Sequence, residues 1–147
     1  MDRGPAALLT IVVGGLIALQ APINSTLGRS VGTFAAATVS FGLGTLLLVA
    51  ITLMVGDGFG RLEGVRNLSW YYLTGGILGA AYVTTVLVTV RSLGAGGVTA
   101  ATIAGQLSMS VVIDRFGLLG IEQKPLSATR VVGVVLLVAG TFLVVRE

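Results

Sequence analysis

The sequence predicts an all-α membrane protein, a bundle of five transmembrane helices. Three observations carry that prediction. Of 147 residues, 54% are apolar and only 10% charged, against roughly 25% charged in an average soluble domain. The charges fall singly and leave long uncharged stretches between them. None of those stretches alternates with the period of two that a half-buried strand or a membrane barrel requires.

Nine Lys and Arg with six Asp and Glu cannot solvate the surface of a soluble domain of this length. That excludes a soluble enzyme and a disordered chain. The net charge of +3 and the pI near 10.0 look basic, but a nucleic-acid partner would need clustered Lys and Arg, and here they are dispersed. Cysteine and histidine are absent. Disulfides, thiolate and imidazole metal sites, and the commonest general base are absent with them. No metal and no cofactor is expected, and no nucleophile–base pair is visible, so the chain does not read as an enzyme.

The elements follow from the charges in order. Arg3 to Arg29 encloses 25 uncharged residues, Arg29 to Asp57 encloses 27, Arg66 to Arg91 encloses 24 and Arg91 to Asp114 encloses 22. Arg130 to Arg146 encloses 15, which a start near Pro125 lengthens to about 20, the number a helix needs to cross a hydrocarbon core of about 30 Å. The expected spans are 5–27, 31–55, 69–90, 95–115 and 126–145, forming a single domain over 1–147. The first is too long and too weakly charged at its start to be a cleaved signal, so it reads as a retained helix. Gly56-Asp57-Gly58 ends span two. Asn67 or Ser69 offers an N-cap for span three, and Trp70, Tyr71 and Tyr72 open it where an aromatic belt would sit. They are read as an interface anchor, or as one tyrosine turned inward. Leu93-Gly94-Ala95-Gly96-Gly97 is a tight turn. Pro125 starts span five, where its missing N–H costs nothing.

With five spans the termini lie on opposite sides of the membrane. The amino-terminal side holds Arg3, Arg61, Arg66, Arg115, Lys124 and Arg130, the other only Arg29, Arg91 and Arg146. The positive-inside rule then puts the amino terminus in the cytoplasm. Glycine and alanine within the spans, at Gly14-Gly15, Ala35 to Ala37, Gly42, Gly44, Gly75-Gly76, Gly79, Gly133 and Gly140, read as close helix packing.

Polar residues inside the spans carry more information, because hydrocarbon satisfies none of their hydrogen bonds. Gln20 and Asn24 are four apart and share a face, with Pro22 between them. This is either a helix broken to expose backbone to a cavity, or a kink near the far end with Asn24 at the interface. Thr102, Gln106, Ser110 and Asp114 repeat at steps of four, a stripe of about 18 Å. It faces a water-filled path, a partner subunit or other helices, to which it bonds across. Asp114 ends span four, and Arg130 lies one turn inside span five. A short connection makes these ends neighbours, so the two can pair, as a lock on the hairpin or as a gate. No carboxylate falls at the centre of any span, which disfavours proton-coupled export of cations. The neutral amide of Gln106, near the midplane, suits a polar or zwitterionic solute.

Gly15 and Gln20-Ala21-Pro22-Ile23-Asn24, then Ser40-Phe41-Gly42, then Gly75-Gly76 with Leu78-Gly79-Ala80-Ala81-Tyr82-Val83 occur in order. Gly105-Gln106, Ile113-Asp114-Arg115-Phe116-Gly117, Gly120 and Pro125 follow. In these residues the chain resembles the short, five-helix YdcZ-type branch of the drug/metabolite transporter superfamily. It departs from the family at Val90-Arg91-Ser92, where a proline-containing stretch is common. The resemblance implies half of an inverted-repeat transporter in the inner membrane, completed by an antiparallel copy of itself or by a related five-helix chain. Substrates in the wider superfamily are small metabolites and drugs. The polar stripes favour a secondary exporter of small polar metabolites or drugs, with Gln20, Asn24, Thr102, Gln106 and Ser110 as the substrate-binding set. The alternative is a non-transporting subunit that assembles with or regulates another membrane protein.

Overall fold

The computed structural model describes residues 3–55 and 58–146. Gly56 and Asp57, expected to end span two, lie outside the described residues. Among those described there is no strand. Four α-helices follow one another: α1 (Arg3–Val31), α2 (Thr33–Met54), α3 (Gly75–Phe116) and α4 (Ala128–Val145). Short 3₁₀ segments occupy Gly60–Asn67, Trp70–Thr74 and Leu118–Gly120.

Four elements yield five membrane-sized helices because α3 is two in one. Its 42 residues break at Gly94, where φ is 67° and ψ 171°. A straight helix of that length would measure about 63 Å, twice the hydrocarbon thickness. The segments on either side, 75–93 and 95–116, are each close to 30 Å long. The Gly94 conformation is one that essentially only glycine adopts, at a cost of about 1–3 kcal/mol for other residues. Gly94→Ala is therefore expected to lower stability by about that amount, read as the shift in thermal unfolding in detergent. An unchanged midpoint would mean the turn tolerates a side chain.

The ends of the helices depart from expectation in three places. Helix α1 runs to Val31, past the expected end at 27. Arg29 sits in its last turn, where a cation favours the helix dipole. The break falls at Gly32 (φ 87°), whose N–H donates to the Gly28 carbonyl at 3.0 Å. Span three does not begin as an α-helix at 69. Ser69 holds the cap position without a side-chain bond, and its carbonyl accepts from Tyr72 N–H at 3.0 Å, the i→i+3 bond of a 3₁₀ turn. The α-helix starts at Gly75. Helix α4 starts at Ala128, not at Pro125, because Ser127 is the N-cap. Its side chain accepts from the Arg130 N–H at 3.2 Å.

The chain divides into two compact units, Met1–Val88 and Thr89–Glu147. In the first, α1 packs on α2. The core is Ala36 and Leu87, both fully buried, with Ala37, Val83, Leu27 and Tyr82 around them. Alanines at 36 and 37 let the backbones come close enough for Leu87 to be enclosed. The Phe41 ring lies against Gly79, 3.4 Å from where a Cβ would stand. In the second unit α4 packs on the 95–116 segment. A Cβ at Gly97 would stand 3.7 Å from Val145 Cγ2, and Thr141 Oγ1 donates to the Ala100 carbonyl at 3.0 Å. Gly79 thus fits the close-packing expectation, whereas Gly97, expected in the tight turn, lies in the helix and meets α4. Gly14, Gly15, Gly42, Gly44, Gly75, Gly76, Gly133 and Gly140 face open space.

The outer surface is aliphatic. Leu8, Ile11, Leu46, Leu47, Leu136 and Leu143 are each more than 60% exposed. In water such a surface would drive aggregation. In a bilayer it faces acyl chains, which is where an all-helical membrane fold places it.

Candidate functional site

Two polar constellations emerge, one in each unit. In the first, α1 presents Gln20 and Asn24 on one face, as the spacing requires. Asn24 is buried, and its Nδ2 donates to Ser40 Oγ of α2 at 3.1 Å. Ser25 is buried beside it and donates to the Leu87 carbonyl at 3.4 Å. Gln20 is exposed. It joins Asn24 and Tyr82 around a cavity of about 10 Å³, room for about one water. Helix α1 continues on both sides of Pro22, so the backbone is not opened there.

Ser25, Ser40 and Tyr82 were not among the residues expected at the site. Ser25 sits 100° round the helix from Asn24 and belongs to no stripe. Ser40 is the partner that a buried Asn24 demands, but only the packing of α1 on α2 selects it. Interhelical bonds of this kind are worth about 0.6 kcal/mol on average in membranes. Ser40→Ala is expected to shift thermal unfolding by about that much. A loss several times larger would mark the bond as a main support of the unit.

In the second unit, Thr102, Gln106 and Ser110 form a stripe along the 95–116 segment. Thr102 is half-buried, while Gln106 and Ser110 are exposed. Gly97, which meets α4, is nine residues from Gln106 and so half a turn away from it at 100° per residue. The stripe therefore points away from α4 and is not spent on holding the helical hairpin. Gly105 beside it meets no atom within 4 Å of a Cβ position. Ser108, on the α4 side, bonds back to the Ala104 carbonyl at 2.8 Å, the usual way a membrane helix satisfies a serine. The two polar sets belong to different units of the chain.

Asp114 diverges from the stripe toward the connection. Arg130 Nη2 donates to Asp114 Oδ2 at 2.7 Å, with the arginine side chain 38% exposed and the aspartate 20%. The main chain closes the same connection. Gly117 adopts the left-handed conformation that ends a helix (φ 63°). Lys124 N–H donates to the Asp114 carbonyl at 2.8 Å, and Gln123 Nε2 to the Arg115 carbonyl at 2.9 Å. Two of the last four carbonyls of α3, which a helix leaves without partners, are thus taken by the loop that leads into α4.

Trp70, Tyr71 and Tyr72 are exposed and stack on one another, Trp70 to Tyr71 edge-on at 6.4 Å and Tyr71 to Tyr72 at 4.5 Å. Among the described residues there is no group of three or more His, Cys, Asp or Glu side chains that could hold a metal ion.

The family model described as "Putative inner membrane exporter, YdcZ" matches residues 5–143. No curated protein and no solved structure matches the chain significantly.

Proposed function

The chain belongs to the YdcZ family of inner-membrane proteins, a membership that points to a membrane transporter and away from an enzyme, and from that premise we propose that it carries small, polar or zwitterionic solutes out of the cytoplasm. The observation that carries this reading is the Thr102–Gln106–Ser110 stripe. It is a polar face aimed away from the helix it packs against, on a membrane-spanning segment of a chain that exposes many large aliphatic side chains. Hydrocarbon satisfies neither the Gln106 amide nor the Ser110 hydroxyl. Water or solute on that face does. Gln106 lies eight residues, about 12 Å, before Asp114, a depth near the bilayer midplane where transporter sites concentrate. Gln20 and Asn24 add a second set of neutral contacts, with the Asn24 amide hydrogen committed to Ser40. The lack of any carboxylate at these depths favours solutes without net positive charge.

An exposed stripe also favours an assembly of two chains that covers it, and an inverted copy of the chain or a related one supplies the second half of an inverted repeat. Cysteines introduced at matched depths are expected to cross-link between inverted copies. Parallel cross-links alone would remove this arrangement. The six-to-three division of Lys and Arg favours a cytoplasmic amino terminus. Reporter fusions at both ends are expected to place the termini on opposite sides, with the amino terminus inside.

The export reading is tested with purified protein in liposomes loaded with an equimolar mixture of small amino acids, amides and polyols. Mass spectrometry of the external medium should find a subset released faster than from protein-free liposomes. Release indistinguishable from the control for every component would favour a non-transporting subunit.

A further inference from the structure

Helix α1 changes character at Pro22. Before it, residues 4–20 are exposed almost throughout. After it, Asn24, Ser25 and Gly28 are buried, and the two side chains tie α1 to Ser40 of α2 and to the Leu87 carbonyl of α3. Pro22 has no N–H, so the Ala18 carbonyl loses its i+4 donor, and the proline ring crowds it. One end of the helix is clamped, the other is free, and its weakest rung lies between them, the place where helices bend.

The small cavity lies at this same point. Gln20, Asn24 and Tyr82 line it with Ile17, Val83 and Val86. Gln20 stands nine residues before Arg29, and Tyr82 nine before Arg91. Each is therefore about 13 Å inside an arginine-bearing end, near the middle of a core about 30 Å thick. Three uncharged hydrogen-bonding side chains, two of them near the midplane and Asn24 one turn beyond it, converge on a space that admits about one water. Packing alone would be served better there by aliphatic side chains.

We propose that Gln20, Asn24 and Tyr82 form a collapsed solute site, which opens when the 4–20 arm of α1 swings about Pro22. The Asn24 Oδ1 is left to accept, the Gln20 amide donates and accepts, and the Tyr82 hydroxyl does either. The site thus fits an uncharged amide or hydroxyl portion of the solute. The solute assignment rests on the export reading above; the hinge does not.

The chain contains no cysteine, so Val83→Cys, at a buried cavity position, supplies a unique thiol. The probe is methanethiosulfonate ethylammonium, which is larger than the closed cavity. In native membranes the thiol is expected to react slowly, and Pro22→Ala in the same background is expected to slow it about tenfold, the effect of about 1.4 kcal/mol on the opening equilibrium. No reaction in membranes from a thiol that reacts fully after denaturation overturns the hinge, as does a rate indifferent to Pro22→Ala. In the liposome assay Tyr82→Phe is expected to raise the KM for released solutes about tenfold, the loss of one hydrogen bond, with the maximal rate retained. An unchanged KM removes Tyr82 from the site. If the wild-type protein releases nothing, the export reading and the solute assignment fail together, while the labelling rates still decide the hinge.

Discussion

Gln106→Leu should abolish most solute release while leaving the protein folded. Leucine fills a similar volume, and it suits a position exposed on a membrane helix, so the fold has no reason to suffer. What goes is an amide with two donors and two acceptor lone pairs. If solute replaces water at that amide, losing its hydrogen bonds lowers the rate about tenfold to hundredfold, the worth of about 1.4–2.8 kcal/mol. The control is in the same helix. Ser108→Ala removes a hydroxyl that bonds only to the Ala104 carbonyl and should leave release unchanged. Equal release from Gln106→Leu and wild type, with normal unfolding of both, would take Gln106 out of the path.

Asp114→Ala should be the most destabilising single polar change in the second unit. It leaves the Arg130 guanidinium with no carboxylate at the membrane boundary. A hydrogen bond between charged groups contributes about 1.5–3 kcal/mol. The partial exposure of Arg130 keeps the loss below the roughly 3–5 kcal/mol of a fully buried pair. Replacing both residues with leucine should recover much of it, because an apolar pair leaves no charge uncompensated. Thermal unfolding in detergent reads both variants. If Asp114→Ala unfolds with the wild type, the pair contributes nothing to stability. If the double variant is stable but its release rate changes several-fold, the pair is a gate as well as a lock.

Much of this fold can be read from charge spacing, for a physical reason. A charge inside hydrocarbon is costly, so uncharged intervals of membrane length mark helices wherever they occur. The same logic finds the Gly94 turn, since a glycine-rich run between two such intervals has little else to do. The boundaries are less legible. Nothing in the residues Trp70 to Thr74 distinguishes an i→i+3 turn from the first turn of an α-helix over five positions. The end of α1 at Val31 depends on the positive φ of Gly32, which no periodicity announces. At the site, periodicity brings Gln20 to Asn24 and lines up Thr102, Gln106 and Ser110, because a step of four is a local property of one helix. It does not reveal that Asn24 is bonded to Ser40, that Ser25 reaches Leu87, or that Tyr82 lines the cavity. Those are contacts between helices, set by how α1, α2 and α3 pack. The open glycines teach the same lesson: small residues permit close approach without specifying which neighbour takes it.

If the chain carries solute, one face of the 95–116 segment meets water and solute. Single cysteines at each position from 97 to 113, in a chain with none of its own, test it through labelling by a membrane-impermeant thiol reagent in native membranes. Labelling is expected at 102, 106 and 110 and none at 97, 100, 104 and 108, a period of four along one face. Protection of 102, 106 and 110 as complete as that of 97 and 104 would contradict it, and would make the stripe a dry contact between helices.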